Sequence, residues 1–307
     1  MFLGFDTSNY TTSVALFDGK IMHQQKQLLS VKDGERGLRQ SDAVFQHTVN
    51  MPELIKRLNI ENADIKAVGA SARPRNVEGS YMPCFLVGRN NAVAVSRFTG
   101  TTLYETSHQV GHILAALYSA DRLDLVNEKF IAFHVSGGTT EALLVEPDGD
   151  ELIKATVVAQ STDLKAGQAI DRAGVMMGYT FPCGKILDEL SQKSDREYKI
   201  KPTMLGLDCS LSGIENKAKA MLDKGESKED IYKFVLSSIS VSISKMTELL
   251  LEKYGDLSLV YAGGVMSNTL IKSNILSKYN AYFADPEYSC DNACGLAIYA
   301  YLKDKNE

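Results

Sequence analysis

The sequence predicts an α/β protein made of two similar lobes around a central cleft. Residues 2–17 and 130–145 share one pattern: a strand, a small polar turn, a Thr-Thr pair and a second strand. In the second copy the turn contains Gly137 and Gly138, and glycine adopts the conformations of a tight turn at little cost. The repeated pattern indicates that the chain is internally duplicated.

Two such units facing each other form the plan of the actin-like fold (ASKHA: actin, sugar kinase, Hsp70), in which one hairpin from each lobe grips a nucleotide. We therefore expect duplicated lobes, each containing βαβ units. The expected N-terminal lobe covers residues 1–103, and the C-terminal lobe, with the nucleotide and metal site, covers residues 104–287. A terminal helix at about 288–305 is expected to pack back on the first lobe.

Composition and charge limit the class of protein. Of the 307 residues, 44% are hydrophobic and 23% charged, which is ordinary for a soluble globular protein. No apolar run approaches the roughly 20 residues that a membrane span needs, and five cysteines lack Cys-x-x-Cys spacing. We therefore expect a cytoplasmic protein with no membrane contact. The net charge of −5 argues against a chain that wraps nucleic acid unaided, although the arginines of residues 73–97 form either a phosphate-contacting edge or a solvated surface.

The remaining elements follow from hydrophobic spacing and from helix start and stop signals. Pro52 is expected to kink or split the first helix, and Asp163 is a candidate cap for the first turn of the helix that follows it. The expected helices cover 41–57, 87–96, 113–119, 161–177, 185–194 and 228–254, and the expected late strands cover 257–262 and 281–284.

Two histidines mark a candidate metal site. His108 and His112 are four residues apart at the start of a helical stretch, so both imidazoles lie on one helix face and can bind one metal ion. A purely structural role for the pair remains open. The metal interpretation needs a third ligand, for which His134 and Asp291 are both candidates.

Several small or acidic residues suggest a nucleotide site. The backbone N–H groups of the Gly137-Gly138 turn can converge on an anion, although most such turns are only hairpins. Asp6, at a strand end, is a candidate for holding a cation or a water near phosphate. Asp171 is a candidate ribose contact or a solvated acid, and Asp188 a candidate general acid. Gly263 and Gly264, between a strand and a helix, are typical of a wall beside a base or ribose.

Seven stretches, in the same order, resemble one family, the TsaD/Kae-type tRNA N6-adenosine threonylcarbamoyltransferases, whose older members were labelled glycoproteases or O-sialoglycoprotein endopeptidases. The resemblance covers nearly the whole chain. The matching stretches are His108-x-x-x-His112, Val135-Ser-Gly-Gly138, Gly167-Gln-Ala-Ile-Asp171, Pro182-Cys-Gly184, Leu211-Ser-Gly213, Ala262-Gly-Gly-Val265 with Asn268, and Asp291-Asn292.

The resemblance implies the two-lobed actin-like fold and transfer of a threonylcarbamoyl group from threonylcarbamoyl-AMP to N6 of adenosine 37 in tRNAs that read codons beginning with A. It implies one divalent metal, iron or zinc, per subunit. The implied partners are tRNA and TsaB-like and TsaE-like proteins, in a homo- or heterodimer. The implied metal ligands are His108, His112 and Asp291, with His134 as a fourth. For the nucleotide (threonylcarbamoyl-AMP, ATP, ADP or AMP), the resemblance implies Ser136, Gly137, Gly138, Asp171, Gly184 and Asn268. Further candidates for the nucleotide and substrate are Val135, Asp163, Gly167, Asp188, Gly263 and Gly264.

The chain departs from the family pattern in the first hairpin, where Asp6–Thr12 lacks two acids of the family motif. It also has Gln168 where bacterial members carry Glu, a rewritten loop at 73–82, and no family tail beyond the last helix. One hypothesis is therefore that this chain is a divergent paralogue of the family. Other hypotheses are a non-catalytic nucleotide-binding scaffold, a sugar or acetate kinase, and a metallopeptidase. The last would lack a general base, because no glutamate follows His108.

Overall fold

A computed structural model describes residues 1–8, 10–31, 38–58 and 63–306, so Asn9 of the first hairpin lies outside the described residues. The strands are β1 Phe2–Asp6, β2 Thr11–Phe17, β3 Met22–Leu28, β4 Ala67–Arg73, β5 Thr102–Ser107, β6 Phe130–Val135, β7 Thr140–Asp148, β8 Leu152–Gln160, β9 Thr203–Leu205, β10 Asp208–Ser210, β11 Ser258–Ala262 and β12 Ala281–Phe283. The helices are α1 Gln40–Leu58, α2 Phe85–Thr99, α3 His108–Ser119, α4 Ala166–Met176, α5 Gly184–Ser191, α6 Ser212–Asp223, α7 Lys228–Tyr254, α8 Thr269–Leu276 and α9 Cys294–Asn306.

The chain divides into two compact units, each built on a five-stranded sheet. The first sheet has the order β3-β2-β1-β4-β5, and the second has the order β8-β7-β6-β11-β12. In each sheet the first two strands along the chain are antiparallel, and the last two are parallel to the first. The internal duplication predicted from the two hairpins is therefore present in the topology. Unit 1 comprises Met1–Glu128, Glu146–Ala155 and Glu287–Glu307, and unit 2 comprises Lys129–Val145 and Thr156–Pro286.

In unit 1 the strand β1 is buried on both faces, which explains why it has no polar side chain before its last residue, Asp6. Leu3 and Phe5 pack in a cluster with residues of α1 and α2. On the other face, a Cβ atom at Gly4 or Gly69 would overlap the backbone of α9. Because neither residue has a side chain, α9 packs directly on β1 and β4.

Helix α1 is continuous through Pro52, so the expected split is wrong. Proline removes one backbone donor from a helix, but the neighbouring turns remain fixed by packing. Met51 and Leu54 are fully buried in the core of unit 1.

Unit 2 is organised around α7, which packs against α4, α5, α6 and α8. This helix is long and apolar enough to cross a membrane, but 67% of its apolar window is buried inside the protein, as in the core helix of a soluble protein. Beneath the helices, the rings of Phe133, Tyr261 and Phe283 stack across the sheet at centroid distances of 4.8 and 5.0 Å.

The compact units divide the chain differently from the lobes expected from the sequence. The change of unit falls at Glu128 and Lys129 rather than at residue 103, because β5 pairs with β4 and α3 packs on α9. Helix α9 belongs to unit 1. The candidate metal ligands of α3 therefore lie in unit 1.

Candidate metal and nucleotide sites

In unit 1, the candidate metal site lies where three parallel strands end. Asp6 is the last residue of β1, Ser71 lies near the end of β4, and His108 directly follows β5. The carboxyl ends of parallel strands meet at one edge of a sheet, which is the usual place for ligands in open α/β sheets. Ser107 begins α3 there, since its side-chain oxygen accepts the Val110 N–H.

Three side chains place potential ligand atoms close together. The ligand atoms of His108, His112 and Asp291 lie within 4.8 Å of one another. Asp291 Oδ1 is 3.5 Å from His108 Nε2 and 3.2 Å from His112 Nε2. Ligands about 2.0–2.2 Å from a tetrahedral zinc ion are about 3.3–3.6 Å apart. The distance of 3.5 Å lies in this range and that of 3.2 Å is about 0.1 Å below it, so a small movement would give a metal centre with two nitrogens and one oxygen.

The third ligand comes from a distant part of the chain. Asp291 lies just before α9, whose early residue Gly295 crosses Gly111 of α3, and a Cβ atom on Gly295 would overlap the Gly111 carbonyl oxygen. The two helices therefore approach at backbone distance. That crossing brings Asp291 beside both histidines. Thr11 Oγ1 donates a further hydrogen bond to Asp291 Oδ2 at 3.4 Å.

The charges at this site are strongly coupled. Burial lowers the pKa of His108, but the charge of Asp6 and a hydrogen bond to Asp291 outweigh it and raise that pKa to about 10. Burial raises the pKa of Asp291, but hydrogen bonds from both histidines hold it well below its usual range. Metal-binding imidazoles are neutral, so a cation bound here takes the place of a proton on His108.

His134 lies in unit 2, at the end of β6, where it is paired in register with Glu141 of β7 and Ala262 of β11. The three mutually close ligand atoms found within the described residues come from unit 1. A role for His134 as a fourth ligand therefore stays a prediction.

In unit 2, the candidate nucleotide residues also follow strand ends. The turn after β6 exposes Gly137 and Gly138, with open space where their Cβ atoms would be. Helix α4 begins beside this turn, because the Gly167 N–H donates to Ser136 O at 3.1 Å, and a Cβ atom on Gly167 would lie 2.6 Å from Gly137 N. Gly263, after β11, has a φ of 98°, and a Cβ atom on it would overlap the backbone of Val135. Glycine is thus required where α4 and β11 meet the turn.

The acids predicted for this site have structural partners. Asp163 does not cap α4, whose N-cap is Lys165; instead its carboxylate accepts the N–H groups of Leu211 and Ser212 at the start of α6. The chain reverses between these segments and brings α6 to the carboxylate. Burial raises the pKa of Asp163, but its hydrogen bonds outweigh this effect and hold that pKa well below its usual range.

Asp171 accepts the Cys183 N–H at 2.8 Å, and burial raises its pKa. Asp188 accepts from the N–H and hydroxyl of Thr269, the first residue of α8. Asn268 is the N-cap of α8 and accepts the Ile271 N–H. Gly184, the first residue of α5, is exposed. Direct contacts of these residues with a nucleotide remain predictions.

Comparison with known families identifies the group to which these sites belong. The model of the TsaD family, described as tRNA N6-adenosine threonylcarbamoyltransferase, matches residues 31–298. The chain belongs to this family. Among TsaD-family proteins, the tRNA N6-adenosine threonylcarbamoyltransferase of Streptococcus pneumoniae (strain ATCC 700669 / Spain 23F-1) is 28% identical over 99% of this chain and 92% of its own length. The sequence-based assignment to the family is confirmed.

Solved structures support the fold. Component A of the (R)-2-hydroxyglutaryl-CoA dehydratase of Acidaminococcus fermentans has a TM-score of 0.58 at 19% identity, covering 99% of this chain and 98% of its own. A ROK hexokinase from Thermus thermophilus has a TM-score of 0.50 at 14% identity, covering 100% and 99%. At these identities the likeness concerns the fold alone, and it confirms the actin-like α/β class.

Two contacts of the candidate metal site could not be predicted from the sequence. Oδ2 of Asp6, which is predicted to hold a cation or a water near phosphate, lies 2.9 Å from Nδ1 of His108. The Ser71 hydroxyl donates to the same carboxylate at 2.5 Å. No local pattern could reveal either contact, because they join residues 102 and 65 positions apart.

Proposed function

We propose that this chain transfers a threonylcarbamoyl group from threonylcarbamoyl-AMP to N6 of adenosine 37 in tRNAs that read codons beginning with A. The observation that carries the proposal is the cluster of His108, His112 and Asp291 in a member of the TsaD family. In the reaction, N6 bonds to the carbamoyl carbon, the bond from that carbon to the phosphate oxygen breaks, AMP leaves, and N6 loses a proton.

The cluster in unit 1 would hold one iron or zinc ion per chain. His108 and His112 would supply nitrogens and Asp291 an oxygen, which suits either metal. Bound there, the ion would orient an oxygen of the threonylcarbamoyl group and stabilise negative charge as AMP departs. The three ligands leave room for such an oxygen, since tetrahedral catalytic sites use three protein ligands. If His134, the additional proposed ligand, also bound the ion, the oxygen would take a fifth position.

In unit 2, the exposed turn of Gly137 and Gly138 would bind nucleotide phosphate through its backbone N–H groups. Gly263, Gly264 and Asn268 would line the base or ribose, and Asp171 would contact the ribose. A neutral ligand would suit Asp171, because the raised pKa reflects a carboxylate that is costly to bury when charged. The nucleotide would be threonylcarbamoyl-AMP, with AMP as the product.

Binding of tRNA would require help from partner proteins. In the predicted basic edge, Arg73 pairs with Glu151 and Arg89 with Glu105, at 2.9 and 2.7 Å. Arg196 of the second basic run pairs with Glu226. These carboxylates offset part of the positive charge, so we propose that TsaB-like and TsaE-like proteins complete the assembly, as a homo- or heterodimer in the cytoplasm. The target adenosine lies in a single-stranded loop, so no duplex has to open.

Nucleoside analysis tests the proposal. Unmodified tRNA that reads a codon beginning with A is incubated with threonylcarbamoyl-AMP, the host partner proteins and this chain, then digested and analysed by mass spectrometry. We expect threonylcarbamoyladenosine with the wild type and with His23→Ala, an exposed histidine outside the cluster, and none with His108→Ala.

A wild-type chain that binds metal and AMP but forms no product would contradict the transferase proposal. It would favour the divergent paralogue, which keeps the site and acts on another substrate. The altered first hairpin, Asp6–Thr12, is the observation that favours this second candidate.

A further inference from the structure

Asp6 is a fully buried acid beside the candidate metal centre. A buried carboxylate is costly unless it is paired and hydrogen-bonded. Its Oδ2 lies 2.9 Å from His108 Nδ1 and accepts from the Ser8 hydroxyl at 2.9 Å. Its Oδ1 accepts from the Ser71 hydroxyl at 2.5 Å. The carboxylate is therefore held from both sides, with one oxygen aimed at a metal-ligand imidazole.

We propose that Asp6 is the positioning residue of the metal centre: its carboxylate accepts the Nδ1–H of His108 and so presents Nε2 to the cation. This inference rests on the metal centre of the proposed function. It goes beyond the ligand set, because Asp6 is not one of the three mutually close ligand atoms found in the described chain.

The direction of the hydrogen bond follows from the chemistry of the pair. Oδ1 of Asp6 accepts the Ser71 hydroxyl and the Ser8 N–H, and Oδ2 accepts the Ser8 hydroxyl. A carboxylate that accepts hydrogen bonds on both oxygens also accepts from the ring nitrogen facing it, so Nδ1 is the donor and carries the proton. The other ring nitrogen, Nε2, is the one 3.5 Å from Asp291 Oδ1. Nδ1 thus donates to Asp6, and Nε2 is the nitrogen that would bind the metal.

A carboxylate behind a ligand imidazole has two effects. It fixes the orientation and protonation of the ring, and it makes the ligating nitrogen a stronger donor; removing such a partner typically lowers metal affinity 10- to 100-fold. The parallel pairing of β1 and β4 runs up to Phe5 and Ala70, so Asp6 and Ser71, the next residues of the two strands, come together, and Ser71 donates to the carboxylate that faces the ring.

The test is zinc affinity, measured by competition with a chromophoric chelator on the full-length chain. Asp6→Asn keeps the shape of the side chain and removes its charge, and we expect affinity to fall about 10- to 100-fold. Asp18→Asn is the matched control: it makes the same change at another carboxylate of unit 1, which accepts the N–H groups of Lys20 and Ile21, so its zinc affinity should stay close to that of the wild type. Equal affinities for Asp6→Asn and wild type would overturn the inference.

A second measurement does not depend on any Asp6 variant folding. Long-range ¹H–¹⁵N spectra of the zinc-loaded wild type, with His108→Ala to assign the ring, should show zinc on Nε2 and a proton on Nδ1. Zinc on Nδ1 would refute the positioning role while leaving the metal centre intact. If the wild type bound neither zinc nor iron, the metal centre of the proposed function would fail and the role of Asp6 with it.

Discussion

Replacing Gly295 with alanine should lower the zinc affinity of the metal centre, although Gly295 is not one of the proposed ligands. Gly295 lies in the first turn of α9, four residues after Asp291, and its Cβ atom would lie 2.8 Å from Gly111 Cα and overlap the Gly111 carbonyl oxygen. Ordinary contacts of a Cβ atom begin at 3.4 Å. Since the obstructing atoms belong to backbone and the overlap with the carbonyl oxygen is the deepest, α9 must move away from α3 by more than about 1 Å.

Two opposing effects set the change in stability. Overpacking of this kind costs about 2–3 kcal/mol, and the better helix propensity of alanine returns about 1 kcal/mol. We expect the free energy of unfolding to fall by about 1–2 kcal/mol. Metal ligands must hold their distances within about 0.2 Å, so the displacement of Asp291 should lower zinc affinity by about tenfold or more.

Gly213→Ala is the matched control. Gly213 is the second residue of α6, as Gly295 is of α9, but nothing lies within 4 Å of its Cβ position. This variant should gain up to about 1 kcal/mol and keep the zinc affinity of the wild type. Urea unfolding and chelator competition on both variants give the comparison. If Gly295→Ala matched Gly213→Ala in both measurements, the close crossing of α3 and α9 would not be what positions Asp291.

Three further predictions concern single side chains. His112→Ala should reduce bound iron or zinc from about one ion per chain to less than about 0.1, by elemental analysis, while His23→Ala keeps it; equal metal content in both variants would rule out His112 as a ligand. Asp163→Asn should lower the free energy of unfolding by about 1 kcal/mol at pH 7, because it removes a negative charge from the N-terminus of α6. Because the folded-state pKa of Asp163 is lowered, this contribution is present above the unfolded pKa of about 3.9 and is lost as the pH falls below it; an equal difference at pH 7 and pH 3 would contradict the capping role. Asp171→Ala should weaken AMP binding about tenfold in calorimetry, and unchanged binding would remove the ribose contact. Asp171→Asn, which keeps an acceptor for the Cys183 N–H, separates that contact from support of the loop.

Local patterns predicted the parts of this fold that depend on neighbours in sequence. The hairpins of β1–β2 and β6–β7 follow from alternating strands around small polar turns, and the shared face of His108 and His112 follows from helix geometry alone. Sequence spacing left His134 and Asp291 as candidates for the third ligand, and the resemblance to the TsaD family indicated Asp291. These predictions needed no knowledge of packing.

The rest depends on contacts between distant segments. Asp163 was expected to cap the helix that follows it, but it binds the start of α6, 48 residues further on. Asp6 faces His108, because β1, β4 and β5 end side by side. Its predicted role of holding a cation or a water near phosphate stays a prediction. A carboxylate near a turn looks the same in sequence whichever partner it finds. Only the order of the strands decides between the partners.

The order of the ligands along the chain has a consequence for biosynthesis. Both histidines are made before the whole of unit 2, and Asp291 follows His112 by 179 residues. Chains begin to fold from the N-terminus during synthesis. In unit 1, β1 and β4 are therefore not covered by α9 until unit 2 has been translated. The full set of three ligands cannot assemble on a partly made chain. Acquisition of the metal ion is thereby deferred until unit 2 has been synthesised.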